Sequence, residues 1–352
     1  MPKAVRLVFK IVSIFIILGL VIILGTAGTA IYLNSAPDTQ PFPREEAMRF
    51  EENVLFMEVR SGETAFSVGR RLENAGVIRS QLFWYFLSRF SKEHIKTGTY
   101  RIELPLSQTA IRSILVEGEQ LLIRVTIPEG ATLRRTAAIL DEAGITSIDN
   151  FLAAASSSDI TNLYNIPGES MEGYLFPETY LFPLAYPANM VVTTMADTFF
   201  KRLESIRGAD SLTPAEINER VIIASIVERE YRVADEAALM AGVFFNRLSI
   251  GMALQSCATV EYVITEILGR PHPRVILYRD LEIRNPFNTY LRPGLPPGPI
   301  SAPGEIALRA AFDPDDSNYL YFRLVDLNAG RHYFSHTYDE HIRAGTLYTK
   351  GI

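Results

Sequence analysis

The sequence predicts an α+β protein: a single N-terminal transmembrane helix, a small first module, then a mixed domain built around a buried central helix. Three observations carry that reading. Residues 11–33 form one uncharged apolar run, a strand–turn–helix motif occurs twice at a fixed offset, and residues 213–232 read as a capped helix, apolar almost all round in its middle. At 352 residues the chain is long enough for two domains or one large one.

The first element is the run IVSIFIILGLVIILGTAGTAIYL, Ile11 to Leu33, long enough to cross a bilayer once. Lys3, Arg6 and Lys10 precede it, while Asp38, Glu45 and Glu46 follow with only Arg44 in opposition. Positive charge on the N-terminal side places residues 1–10 in the cytoplasm and everything after Leu33 outside it, across the cell membrane. A cleaved signal peptide is the rival reading, but its apolar core is shorter than this run. Residues 34–52 read as a linker, whose first ten residues hold three prolines and are therefore stiff.

The second element, residues 53–123, contains the first copy of the repeat. Gly62-Glu63-Thr64, Leu72, Ala75-Gly76-Val77 and Phe83 return as Gly130-Ala131-Thr132, Leu140, Ala143-Gly144-Ile145 and Phe151, each 68 residues on. Both copies read as a short strand, a Gly turn, a Thr-capped helix and a Gly stop. The first copy closes with GTYRIE, giving a βααβ-like unit of the size of a small sugar-binding module. Trp84, Tyr85, Phe86 and Phe90 could stack on sugar rings, although core packing is the commoner fate of aromatics at helical spacing.

The third element, residues 124–346, is organised around TPAEINERVIIASIVEREYR, Thr213 to Arg232. Thr213 is a good N-cap, Pro214 suits the first helical position, and Glu216 completes a capping box. Glu228 falls about 20° around the helix from both Val221 and Ile217, on an apolar stripe. Desolvation there raises a carboxyl pKa, as a general acid working near neutral pH requires. The alternative is that Glu228 ends the buried run and pairs with Arg229, Arg232 or Arg247. Glu230 lies about 200° away, so the two acids cannot form one close pair.

Around that helix lie MEGYLFPETYLFP (Met171 to Pro183), an apolar helix from Ala237 to Ile250, and NPFNTYLRPGLPPGPISAPG. The Pro- and Gly-dense stretch Gly294 to Gly304 cannot continue a helix or a central strand, and reads as a groove wall or an ordinary surface loop. Asn318 to Val325 and His332 to Ser335 read as a hairpin about Asn328-Ala329-Gly330.

Charge and composition bound the remaining chemistry. A net charge of −6, with no basic stripe carrying interleaved aromatics, argues against nucleic acid. Cys257 is the only cysteine, so neither an intramolecular disulfide nor a thiolate cluster can form, and no His nearby in sequence would activate it. His332, His336 and His341 sit in a strand-like run without the HExxH helix, which disfavours zinc. Glu172, Glu178 and Glu261 are the acids that could join Glu228 in a two-carboxylate site.

The blocks MEGYLFPETY, ASIVERE (Ala224 to Glu230), FFNRLSIGMALQS (Phe244 to Ser256), NTY (Asn288 to Tyr290) and GLPPGPISAPG resemble, in this order, the endolytic murein transglycosylase or YceG-like family. The resemblance implies a LysM-like first module and a lyase that cuts peptidoglycan within the glycan strand near the membrane, leaving 1,6-anhydro-N-acetylmuramic ends. It places the catalytic glutamate at Glu228, requires no metal or organic cofactor, and makes peptidoglycan synthases candidate partners. The family commonly has Asp where this chain has Cys257. Glu172, Tyr174, Gln255, Asn288 and Tyr290 each lie in a matching block, carry polar groups suited to sugar hydroxyls or acetamides, and are expected to line the groove. Glu172 has two readings, an acid that raises the Glu228 pKa by like-charge repulsion or a cap for the turn at Gly173. Two other functions stay open: a lysozyme-type hydrolase with a second carboxylate, and a non-catalytic wall-binding scaffold.

Overall fold

The computed structural model describes residues 3–37, 48–51, 53–60, 62–91, 93–118 and 120–348. The chain divides into two compact units, residues 1–122 with 183–185, and residues 123–182 with 186–352. Most of the expected linker, together with Asp38, Arg44, Glu45 and Glu46, lies outside the described residues.

The first unit begins with helix α1, Lys3–Asn34. Its segment Phe15–Asn34 is long and apolar enough to cross a membrane, with a mean hydropathy of 2.3. Two hydroxyls in that run turn back on the helix: Thr26 donates to the Ile22 carbonyl and Thr29 to that of Gly25. Neither therefore presents a free donor on the helix surface.

A three-stranded antiparallel sheet follows, ordered β1-β2-β3, from β1 (Met48–Glu51), β2 (Val54–Val59) and β3 (Gly98–Glu103). Between β2 and β3 come helices α2 (Ala65–Asn74) and α3 (Gln81–Arg89). Strand alternation turns Leu55, Met57 and Val59 inward. Pairing sets Leu55 opposite Ile102 and Met57 opposite Tyr100. These side chains pack with Val68, Leu72 and Trp84 into one core, where each fully buried aliphatic contributes about 1.5–3 kcal/mol. Helix α4 (Gln108–Glu117) adds Ile111 and Leu115 to it. Trp84 is thus a core residue whose indole N–H donates to the Ala65 carbonyl, whereas Tyr85, Phe86 and Phe90 remain exposed.

Strand β4 (Leu122–Thr126) leads into the second unit, which repeats the local chemistry of α2 and α3. Helix α5 (Leu133–Glu142) has the same length as α2, and Thr132 caps it as Thr64 caps α2. Gly62 and Gly130 enter these helices with φ of 78° and 72°, and Gly76 and Gly144 end them with φ of 70° and 69°. The register then slips by one residue. Helix α6 (Ile148–Ala155) is capped by Ser147, whereas Ser80 caps α3, a separation of 67 residues rather than 68. Phe151 is consequently the counterpart of Trp84, not of Phe83: both stand four residues beyond the cap, and both are wholly buried.

The rest of the unit comprises α7 (Ser158–Leu163), β5 (Thr179–Pro183), α8 (Ala188–Glu204), α9 (Pro214–Glu230), α10 (Ala237–Ser249), α11 (Cys257–Tyr262) and α12 (Glu305–Phe312). The hairpin β6 (Tyr321–Asp326) and β7 (Arg331–Ser335) and helix α13 (Tyr338–Tyr348) close it. Helix α9 starts with the expected capping box: Thr213 accepts from the Glu216 N–H, and the Glu216 carboxylate accepts from that of Thr213. Val221 to Val227 are all buried, because α10, α11 and α12 pack around α9. The burial ends at Glu228.

Candidate functional site

Glu228 sits in the last turn of α9, half-buried, where the helix leaves the core. Its Oε2 accepts a 2.9 Å hydrogen bond from the Gly304 N–H. Ser225, one turn earlier, holds that donor's loop in place. Its Oγ accepts from the Ile300 N–H at 3.0 Å, and its carbonyl accepts from the Ser301 hydroxyl at 3.0 Å. A lone hydroxyl in the apolar stretch of the helix therefore pins the loop Gly294 to Gly304 to the element that bears the acid.

A second loop closes over the same spot. The Gly130 N–H donates to the Ala302 carbonyl, and the Ala302 N–H donates to that of Ala131. This lacing brings Glu129 up to Gly304, where an added Cβ would overlap the Glu129 carboxylate. Glycine at 304 thus leaves space for a second carboxylate close to the first. Burial pushes the Glu228 carboxyl up to about 7, and the Glu129 charge adds to the rise, while the Gly304 N–H and Arg229 oppose it. Tyr231 is affected by both acids: burial, then the charges of Glu228 and Glu129, push its phenol up to about 12.

The five expected lining residues go to different places. Glu172 is buried, and both its oxygens accept from the Leu133 N–H, at 3.1 and 3.2 Å, so it satisfies an orphan donor in the first turn of α5. Burial pushes it up to about 8, Glu266 adding repulsion while hydrogen bonds from Leu133, Tyr262 and Gly173 oppose it. The like charge acting on Glu228 is that of Glu129, a role one reading of the sequence gives to Glu172. Tyr174 is core: its hydroxyl donates to Asn218 at 2.7 Å and its ring meets Phe199 edge-on. Glu172 and Tyr174 share the wall of a cavity of about 590 Å³ with Asn218, Tyr262 and Pro299.

Asn288 is fully buried and spends its amide on its own loop, donating to the Leu281 and Ile283 carbonyls and accepting from the Tyr290 N–H. Sequence shows an amide there but not that it turns inward. Tyr290 meets the Cys257 thiol at 3.1 Å, and Gln255 is exposed at a φ of 51°, its N–H donating to the Thr289 carbonyl. Gln255 and Tyr290 therefore gather on the flank of α9 that carries Glu230, which accepts a short bond from Ser256. Among the described residues no hydrogen bond joins Glu228 to Gln255, Asn288 or Tyr290.

Sequence reading misses Glu129, Tyr231 and the part played by Gly304. Gly304 ends a recognisable block, but nothing local marks its N–H as the donor to an acid 76 residues earlier. The three histidines also separate: His332 pairs with Glu236, His336 contacts the Asn318 carbonyl, and His341 packs against Tyr321.

Residues 57–346 match the YceG-like family. The chain is similar to the endolytic murein transglycosylase of Bacillus subtilis strain 168, 28% identical over 325 residues, spanning 86% of this chain and 87% of that one. It is similar also to the protein of that name from Streptococcus pneumoniae strain D39, 27% identical over 316 residues and 81% of this chain. The match covers 56% of the pneumococcal protein, so the chain spans little more than half of that relative's length. A crystal structure of a YceG-like protein from Listeria monocytogenes superposes with a TM-score of 0.56 at 28% identity, covering 83% of this chain and 99% of that one.

Proposed function

The chain belongs to the YceG-like family, and on that footing we propose that it is a membrane-anchored lytic transglycosylase that cuts peptidoglycan glycan strands within their length. The observation that carries the reading is Glu228, a half-buried carboxyl at about 7 with a backbone donor on one oxygen and a second acid beside it. Such a group is substantially protonated near neutral pH, as a general acid must be.

The reaction needs one carboxyl group used twice. Protonated Glu228 gives its proton to the glycosidic oxygen as the bond from the muramic C1 breaks, and that oxygen leaves as the hydroxyl of the next sugar. The carboxylate then takes the proton of the muramic C6 hydroxyl, whose oxygen bonds to C1. The product is a 1,6-anhydro ring, and Glu228 ends protonated again. The Gly304 N–H holds the carboxylate between the two transfers, and the Glu129 charge favours its return to the acid form. Gln255 and Tyr290 lie on the Glu230 flank of α9, away from the cleaved bond, and take no part in the two transfers, while Glu172, Tyr174 and Asn288 support the walls from behind.

The apolar segment Phe15–Asn34 supports a single-pass anchor with Lys3, Arg6 and Lys10 on the cytoplasmic side. Cleavage beside the membrane would end the elongation of nascent strands, with peptidoglycan synthases as partners. The β2-α2-α3-β3 unit supports a LysM-like glycan-holding role. A lysozyme-type hydrolysis is the second reading, favoured by one observation, the proximity of Glu129. Mass spectrometry of strands digested by the full chain separates the two. Anhydro ends are expected, and reducing ends would replace the lyase with the hydrolase.

A further inference from the structure

A second cavity, of about 660 Å³, opens beside Glu228, and the reaction above makes no use of its charges. Arg134, Arg135, Arg229 and Arg270 line it with Glu261 and Glu266. Arg229 is committed to Glu261, and Arg134 lies 3.6 Å from Glu266. Arg135 and Arg270 are exposed, and their guanidinium groups make no ion pair among the described residues. Two positive charges thus face an open cavity unmatched.

The cavity lies next to the acid, with Gly130 between them. Gly130 lines it, and a Cβ there would stand 3.4 Å from the Arg229 Cδ and 3.7 Å from the Glu228 Cγ. Gly130, with no side chain and a φ of 72°, therefore keeps the cavity within a few ångströms of the acid, near enough for a group attached to a sugar held at Glu228 to extend toward it. A neutral glycan has no use for a pair of free arginines. The muramic ring, however, carries a peptide through its O3 lactyl group, and that peptide bears carboxylates. Two to four extended residues reach roughly 7 to 14 Å from the ring. Arginine suits carboxylates through its planar pair of donors. Glu261 and Glu266 in the same wall, although paired with Arg229 and Arg134, disfavour a polyphosphate there.

We infer that this cavity receives the stem peptide of the muramic acid at the cleaved bond, with Arg135 and Arg270 holding its carboxylates. The inference rests on the proposed glycan substrate and specifies that the strand must carry its stems. The test is calorimetric titration of the full chain bearing Glu228→Gln, with a disaccharide–tetrapeptide and with the same disaccharide lacking its peptide. The peptide-bearing ligand is expected to bind at least tenfold more tightly, corresponding to about 1.4 kcal/mol. Adding Arg135→Ala and Arg270→Ala should erase that gain and leave the peptide-free affinity unchanged, while Arg→Lys at both positions should restore part of it. Equal affinity for the two ligands overturns the inference, as does a gain that survives the double substitution or an absence of binding by the peptide-bearing ligand. Because both side chains are exposed, folding should persist; should the double variant melt early, Arg270→Ala alone carries the same comparison. Binding requires no cleavage, so reducing ends in the digest would remove the lyase while leaving this result standing.

Discussion

Glu129→Gln isolates the electrostatic part of the tuning of Glu228. The Glu228 carboxyl is pushed from its ordinary 4.5 up to about 7, a preference for the protonated form of about 3 kcal/mol. Burial is the largest cause, and the Glu129 charge is the other that raises it. Glu228 reaches the Gly304 N–H at 2.9 Å, and Glu129 occupies the place a Cβ of the same residue would take. Those contacts keep the two carboxylates within about 8 Å of each other. At an effective dielectric of about 20, like charges at that distance repel by about 2 kcal/mol, and salt reduces this further. Gln retains the shape without the charge, so the Glu228 pKa should fall by about one unit. On the proposed mechanism the free enzyme needs Glu228 protonated, and kcat/KM should fall as pH rises through that pKa. The assay is release of anhydro ends by the full chain across the range from acid to mildly alkaline pH. In Glu129→Gln the fall should begin about one unit lower, with little change in acid, where Glu228 is protonated in both proteins. A basic limb that stays in place or moves upward would refute the reasoning.

Glu228→Gln keeps the shape and loses the proton, so cleavage should drop by about 10²–10⁴-fold while glycan binding and the melt stay near wild type; activity within about tenfold would remove the assignment. Ser225→Ala leaves the buried Ile300 N–H without its acceptor, which should cost about 1–3 kcal/mol in chemical denaturation and reduce turnover as the Gly304 loop loosens. Unchanged stability would show that the loop is held elsewhere. Glu172, raised to about 8, binds a proton in the folded state that the unfolded chain releases near 4.5. Its contribution to stability is therefore fully present below about pH 4.5 and is lost as pH rises through about 8. Glu172→Gln should flatten that decline by up to about 5 kcal/mol, measured by urea denaturation across the same window, and an unaltered slope would mean that Glu172 does not titrate as described.

The elements legible in the sequence are those specified by neighbours in the chain. Thr213, Pro214 and Glu216 define the start of α9 through bonds spanning three residues, and Val221 to Val227 declare its burial. The place of Glu228 on that stripe follows from helical geometry alone, as do the Gly-ended helices of the two repeats. The slip that matches Phe151 to Trp84 is also present in the positions of Ser80 and Ser147, but a fixed offset conceals it. Tertiary structure alone decided what surrounds the acid. Glu129 and Gly304 come from loops far from Glu228 in the chain, joined by backbone bonds at Gly130 and Ala302 that no side chain announces. It also turned Tyr174 and Asn288 inward, because a buried polar group must find a partner, and theirs lie within the protein. Helical periodicity places a side chain on a face; which loop then lies against that face depends on packing between residues that the sequence keeps far apart.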